Sequence, residues 1–299
     1  MSTIDQALIR VLESGAPGVS TGQATEGETG GAPAGNQSVD VDSRRRVGRE
    51  SGAERDQAHG QPVESSFQPA YQVDAVVWPS PCTKLGLQAG GELEQLVEQL
   101  QGACDQGHRV IAFTACGPGQ GCTTVLLCAA RRLGHTAGRV AVVDADWGYP
   151  QLAERLGLLP ETGWGQVLDD RLPLWEAAIE SARDRLAIVP LRPARDGQAA
   201  SAERYAELAG VLAELRKHYD LVLVDLGAAA PQAMAAAAPR SIDAVVVVHD
   251  VRSTSEAEVA QRCQQIGAAG FVAIGVIENF LQQGDSTRQM RPGRTTVGP

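Results

Sequence analysis

The sequence predicts an α/β fold, a doubly wound and mostly parallel sheet. Three observations carry that reading. Six runs rich in Val, Ile, Leu and Ala alternate with helical segments between residues 109 and 279. Strands that are apolar at every position are buried on both faces, and helices between them are the crossovers a parallel sheet requires. The first run passes directly into a glycine-rich loop, CGPGQGCTT at residues 116–124, and then into a helix. That order gathers backbone N–H groups around phosphate. Finally, later strands end in Asp144 and Asp146, in Asp225 and in Asp250, on the sheet edge where such folds bind ligands.

Residues 3–14 (TIDQALIRVLES) place Ile4, Ala7, Leu8, Val11 and Leu12 on one helical stripe, with Thr3 able to cap it. A short amphipathic helix is expected over 1–14, which either packs back on its own domain or docks on a partner. Residues 15–74 are dominated by Gly, Ser, Gln, Glu, Ala and Pro. They hold too little apolar surface to offset their ordering entropy and read as a disordered linker. Within it Arg44, Arg45 and Arg46 read as a solvated charge run. Residues 75–281 are expected to form one domain of ordinary size. Its helices fall at 92–103, 122–133, 201–218 and 255–269, and its strands at 109–115, 139–146, 186–191, 221–226, 244–250 and 272–279. The polar, Gly- and Pro-punctuated stretch 282–299 reads as a disordered tail.

A net charge of −10 argues against a general nucleic-acid binder. No apolar run approaches the length of a membrane span and the N-terminus lacks a signal-peptide core, so a cytoplasmic location is expected. The six cysteines (82, 104, 116, 122, 128 and 263) form no CxxC pair and have no histidine at metal spacing. They read as free thiols in a reducing compartment.

In the loop, Gly117, Gly119, Gln120, Gly121, Cys122, Thr123 and Thr124 are the candidate phosphate binders, with a threonine hydroxyl placed to hold Mg²⁺. Cys122 stands where such loops carry lysine. Only two of the 26 basic residues are lysines, Lys84 and Lys217. Arg131 and Arg132 lie on the following helix, roughly 13–15 Å from its start at about 1.5 Å per residue. Lys84 could reach the loop only through a tertiary arrangement. A unit charge pair at about 4 Å is worth ~4 kcal/mol at an effective dielectric near 20, so an uncompensated loss slows phosphoryl transfer on the order of a thousandfold. Binding suffers less, because the helix dipole and backbone N–H groups remain.

Three segments carry a family resemblance: IAFTACGPGQGCTT (111–124), VAVVDADWGYP (140–150) and YDLVLVDL (219–226). They resemble the nucleotide motifs of the bacterial tyrosine kinases, P-loop kinases of exopolysaccharide and capsule assembly related to the MinD/ParA ATPases. Residues 163–178, 186–193 and 242–277 resemble that family's connecting segments, and MSTIDQAL resembles the start of one autokinase subgroup. The likeness covers about residues 85–280 and implies a MinD/ParA-like P-loop NTPase fold binding ATP or ADP with Mg²⁺. On that resemblance Asp144 and Asp146 would coordinate Mg²⁺ and activate the attacking hydroxyl, while Thr123 and Asp225 would complete the metal site. It implies as partner a membrane protein of polysaccharide chain-length control or export, or a homologous kinase, engaged through the N-terminal helix. That partner would recruit the chain to the inner face of the membrane. A homo-oligomer is also implied.

The departures from the family pattern are equally specific. Cys122 replaces the loop lysine, and Gly117 stands where the MinD/ParA relatives carry an extra lysine. No basic residue follows Asp146, where Trp147, Gly148 and Tyr149 stand; Leu226, Gly227 and Ala228 replace Thr-Pro-Pro. The last tyrosine is Tyr219, so the family's C-terminal tyrosine cluster is not seen. The expectation is a catalytically impaired regulator or scaffold. An active autokinase and a MinD/ParA-like positioning ATPase are the alternatives; the latter's C-terminal membrane-targeting helix is not visible in 281–299.

Overall fold

The computed structural model describes residues 10–13, 67–192, 202–229, 241–271 and 273–281. In chain order the elements are β1 (Arg10–Glu13), β2 (Tyr71–Val73), α1 (Ser80–Gln88), α2 (Gly90–Asp105), β3 (Val110–Ala115), α3 (Cys122–Thr136) and β4 (Val140–Asp144). Then come α4 (Leu152–Arg155), α5 (Trp164–Asp169), a 3-10 turn (Leu174–Ala177), β5 (Ile179–Ser181), β6 (Leu186–Val189), α6 (Ala202–His218) and β7 (Leu221–Asp225). The chain closes the sheet with β8 (Ala244–Asp250), α7 (Glu256–Ala268) and β9 (Ala273–Asn279). The strands form one sheet of order β1-β9-β8-β3-β7-β4-β6-β5-β2.

The six strands from β9 to β6 in that order are parallel, and they are the six apolar runs of the sequence. Residue alternation along them supplies two cores. Ile111, Phe113, Val142, Leu223 and Val248 face the helices α1, α2 and α3, whose Leu85, Leu93, Leu96, Leu126 and Leu133 are buried against them. Val110, Ala112, Val143, Val222 and Val247 face the other way, onto Trp164, Leu208, Leu212 and Ile266 of α5, α6 and α7. Helices on both faces of a parallel sheet define the doubly wound class. The four helices expected within 75–281 are present, and α7 opens with a capping box in which Ser255 and Glu258 satisfy each other's backbone N–H groups.

Two expectations need correction. The helix expected over 3–14 does not hold at its end: Arg10–Glu13 form an antiparallel edge strand on β9, with Arg10 opposite Glu278 and Glu13 opposite Gly275. The edge of β9 presents a row of unpaired backbone groups, and pairing with them outweighs the helical periodicity of the segment. Residues 1–9 lie outside the described residues. Nor does the linker reach residue 74. Tyr71–Val73 pair with β5, itself antiparallel to β6, and Phe67 is buried. The rest of the expected linker, including Arg44–Arg46, and the expected tail also lie outside the described residues.

The approach to α1 is fixed by Asp184, in the turn between β5 and β6. Its carboxylate accepts from the Val76 N–H at 2.9 Å, the Trp78 indole at 2.8 Å and the Ser181 hydroxyl at 2.5 Å. These bonds hold Asp184 below the usual carboxylate range despite its burial. They set α1 against α3 at the sheet's carboxyl edge.

Phe67 sits 5.0 Å from the His218 ring, 5.8 Å from Tyr219 and 6.5 Å from Trp175. Phe67→Ala is therefore expected to destabilise the domain by about 3–5 kcal/mol in urea unfolding. Were the segment a free tether, the midpoint would not move.

Candidate functional site

β3 delivers the chain to the carboxyl edge of the sheet between β8 and β7. The turn into α3 needs positive φ at Gly119 (77°) and at Gly121 (88°), which glycine adopts without strain. At Gly121 the requirement is doubled, because a Cβ there would collide with the Asn279 amide. That amide donates to the Gln120 carbonyl at 3.0 Å. The Gln120 side chain turns inward, accepting from the Cys116 N–H at 3.1 Å and donating to the Thr254 hydroxyl. Gln120 thus braces the loop with its side chain and offers only backbone to a ligand. Among the described residues, no protein group accepts from the N–H groups of Gly119, Gly121, Cys122 or Thr123. A braced ring of free donors at a helix N-terminus is a cradle for phosphate oxygens.

The Cys122 side chain does not point into this cradle. It is 6% exposed, and its thiol donates to Asp225 Oδ1 at 3.6 Å. Burial, with the Asp225 carboxylate next to it, pushes the thiol well above the ordinary cysteine range. Buried and bonded to Asp225, the thiol is turned away from the phosphate cradle.

Beneath the loop, Asp144 and Asp225 stand opposite each other on β4 and β7. Asp225 accepts from the Gly227 N–H at 3.0 Å. Asp144 accepts from Asp146 N–H at 3.2 Å and Leu152 N–H at 3.0 Å. Burial, then Asp225, raises Asp144 well above the carboxylate range. Burial also raises Asp225, against the opposing effect of the Thr123 hydroxyl and the Gly227 N–H. Asp146 is half-buried, raised by burial and steadied by the N–H groups of Tyr149 and Gly148. Its carboxylate packs onto Gly227, at φ 54°, where any Cβ would overlap it. The glycine that departs from the family pattern thus makes room for Asp146.

A cleft of about 950 Å³ lies over the loop. It is lined by every predicted loop residue (Gly117, Gly119, Gln120, Gly121, Cys122, Thr123 and Thr124) and by Asp146. Asp144 and Asp225 do not line it, and among the described residues no three His, Cys, Asp or Glu side chains are grouped to hold a metal ion. The sequence set Thr123, Asp144 and Asp225 is brought together in part: Thr123 meets the cleft, while both aspartates lie below it with oxygens taken by backbone N–H groups. These residues fit Mg²⁺ in its usual nucleotide-bound manner, with one protein hydroxyl, phosphate oxygens and waters, the acids acting through water.

Sequence reasoning did not place Lys84, Arg155, Tyr149, Tyr205, Asn279 and Phe280 on the same cleft. The signal for Lys84 was its rarity as a lysine; α1 brings it in with Pro81, Leu85 and Gln88 at helical spacing. Arg131 stacks 5.2 Å over Trp78 and Arg132 approaches Gly90, so neither lines the cleft. No helix among the described residues is long and apolar enough to cross a membrane.

The fold and loop together are those of a P-loop protein, and comparison with solved structures agrees. The kinase domain of the Escherichia coli tyrosine kinase ETK is similar at a TM-score of 0.59, 19% identical, over 77% of this chain and 95% of that one. The BceF tyrosine kinase domain is similar at 0.52, 23% identical, over 67% and 89%. The VpsO kinase domain is similar at 0.53 with 23% identity, over 63% and 98%. The chain thus has the fold of the bacterial tyrosine kinase domains. No family model matches it. In sequence it is 29% identical over 185 residues to the succinoglycan biosynthesis transport protein ExoP of Rhizobium meliloti (strain 1021). That match spans 59% of this chain and 23% of ExoP.

With the thiol buried and bonded to Asp225, Cys122 should alkylate at least tenfold more slowly than the half-exposed Cys104 and Cys116 at pH 8. Peptide mapping after timed iodoacetamide exposure reads this directly. Comparable labelling of Cys122 would place its thiol in the open cleft.

Proposed function

We propose that this chain is a nucleotide-binding P-loop protein of the bacterial tyrosine kinase type whose phosphoryl transfer is impaired. It acts as a regulator or scaffold in exopolysaccharide or capsule biosynthesis. The observation that carries the reading is a complete backbone cradle in which the usual lysine position is a buried thiol bonded to Asp225. The ligand is ATP or ADP with Mg²⁺. Gly119, Gly121 and the N–H groups of Cys122, Thr123 and Thr124 hold its phosphates, and the Thr123 hydroxyl meets the metal. Asp146 is the group positioned for proton transfer from an attacking hydroxyl, and Asp144 and Asp225 act on the metal through water. The likeness of the matched segment to ExoP, a transport protein of succinoglycan biosynthesis, supports the polysaccharide setting. On this reading its partner is a membrane protein of polysaccharide transport or chain-length control, which holds the chain at the inner membrane face.

An active autokinase is the competing reading, favoured by one observation: Asp146 lines the cleft beside Thr123. The two readings differ in outcome. Purified protein with labelled ATP and Mg²⁺ is expected to give no more phosphotyrosine than its Asp146→Asn variant. Cys122→Lys should tighten ATP binding about tenfold and raise transfer by up to about a thousandfold. Phosphotyrosine in the wild type that disappears in Asp146→Asn would establish the active kinase instead.

A further inference from the structure

Among the described residues only two basic side chains line the cleft, Lys84 and Arg155, and neither belongs to the loop. Lys84 projects from α1, which is anchored directly over the start of α3. The Cys82 thiol lies 3.7 Å from the Thr124 carbonyl, the Cys128 thiol lies 3.9 Å from the Cys82 carbonyl, and Leu85 is buried beneath. Arg155 ends α4, on the segment that follows Asp146 and Tyr149 around the rim. Its Nε donates to Gln151 Oε1 at 2.5 Å, which fixes the guanidinium while leaving its terminal nitrogens available. The cation stands near α1: alongside the larger effect of Cys128, Arg131 and Arg155 help hold the Cys82 thiol below its ordinary range. Neither Lys84 nor Arg155 forms an ion pair with a carboxylate among the described residues.

The other charged side chain on the cleft wall is acidic, Asp146, and Asp144 and Asp225 are buried beneath the cleft. Without Lys84 and Arg155, a polyphosphate entering a loop that lacks its own lysine would meet the Asp146 carboxylate and no cation on that wall. We infer that Lys84 and Arg155 form a two-cation phosphate clamp, supplied from α1 and α4, that takes over charge neutralisation of a nucleoside di- or triphosphate from the missing loop lysine. The clamp rests on the nucleotide-binding reading and specifies which side chains make it work. Lys84 is an exposed point charge on a flexible stem, whereas Arg155 offers a planar fork suited to two phosphate oxygens.

The test is calorimetric titration of the full chain with Mg·ADP, Mg·ATP, pyrophosphate and adenosine. The proteins are the wild type, Lys84→Gln, Arg155→Gln and the double variant. Lys84 is exposed, and Arg155 makes one side-chain hydrogen bond that a thermal melt can check. The clamp predicts wild-type binding of both nucleotides, a loss of about tenfold or more for each single variant and a larger loss for the double. Pyrophosphate should track the nucleotides, and adenosine should be unaffected. Wild-type nucleotide binding that both single variants keep within twofold would overturn the clamp and leave the nucleotide reading standing. Absence of any nucleotide binding by the wild type would overturn both.

Discussion

Two carboxylates in register on adjacent parallel strands, directly under a phosphate loop, constrain everything else at this site. The pairing of β4 with β7 sets Asp144 opposite Asp225, and the hydrophobic cores on both sheet faces leave neither strand free to slip without exposing its apolar residues. Like charges that close cannot both ionise cheaply in a buried setting. In a loop with lysine, an ammonium group would relieve them. Here the relief comes from backbone N–H groups, the Thr123 hydroxyl and the Cys122 thiol. The floor of the site is held by hydrogen bonds instead of by a fixed cation.

This difference separates affinity from rate. A loop lysine is locked to the backbone that wraps the phosphates, so it stays in place as charge redistributes during transfer. On the proposed reading, cations supplied from α1 and α4 stand outside the backbone that wraps the phosphates and attract the bound ground state and the transition state to similar degrees. Uniform attraction of that kind raises occupancy without lowering the barrier. On the proposed reading, a protein built this way would retain a nucleotide and change it slowly, which suits a component that reports nucleotide occupancy to a partner.

How much was legible in the sequence follows from how local each signal is. The six parallel strands were readable because strands buried on both faces are apolar at every position, and the loop because its glycines and threonines are contiguous. The short strands Tyr71–Val73 and Ile179–Ser181 left no such trace. They form because the sheet offers them an edge, not because of their own periodicity. Residues 10–13 show the same effect more sharply, since a helical stripe gave way to the open edge of β9. At the site, the three aspartates and the altered lysine position were readable one at a time. What could not be read was direction. Whether the Cys122 thiol faces the cleft or Asp225, and whether Gly227 is slack or is required by the Asp146 carboxylate, depends on contacts between residues far apart in the chain. Lys84 and Arg155 belong to the same class, because only the packing of α1 on α3 and the course of α4 bring them to the loop.

The central claim is that the cradle holds a nucleotide without consuming it. The most direct measurement is rapid filtration of the protein with bound γ-labelled ATP and Mg²⁺, following the chemical fate of the label over time. The account predicts that ATP is retained intact on the protein and exchanges only with added unlabelled nucleotide. Failure to retain ATP at all, or prompt transfer of the label to tyrosine or to free phosphate, would contradict it.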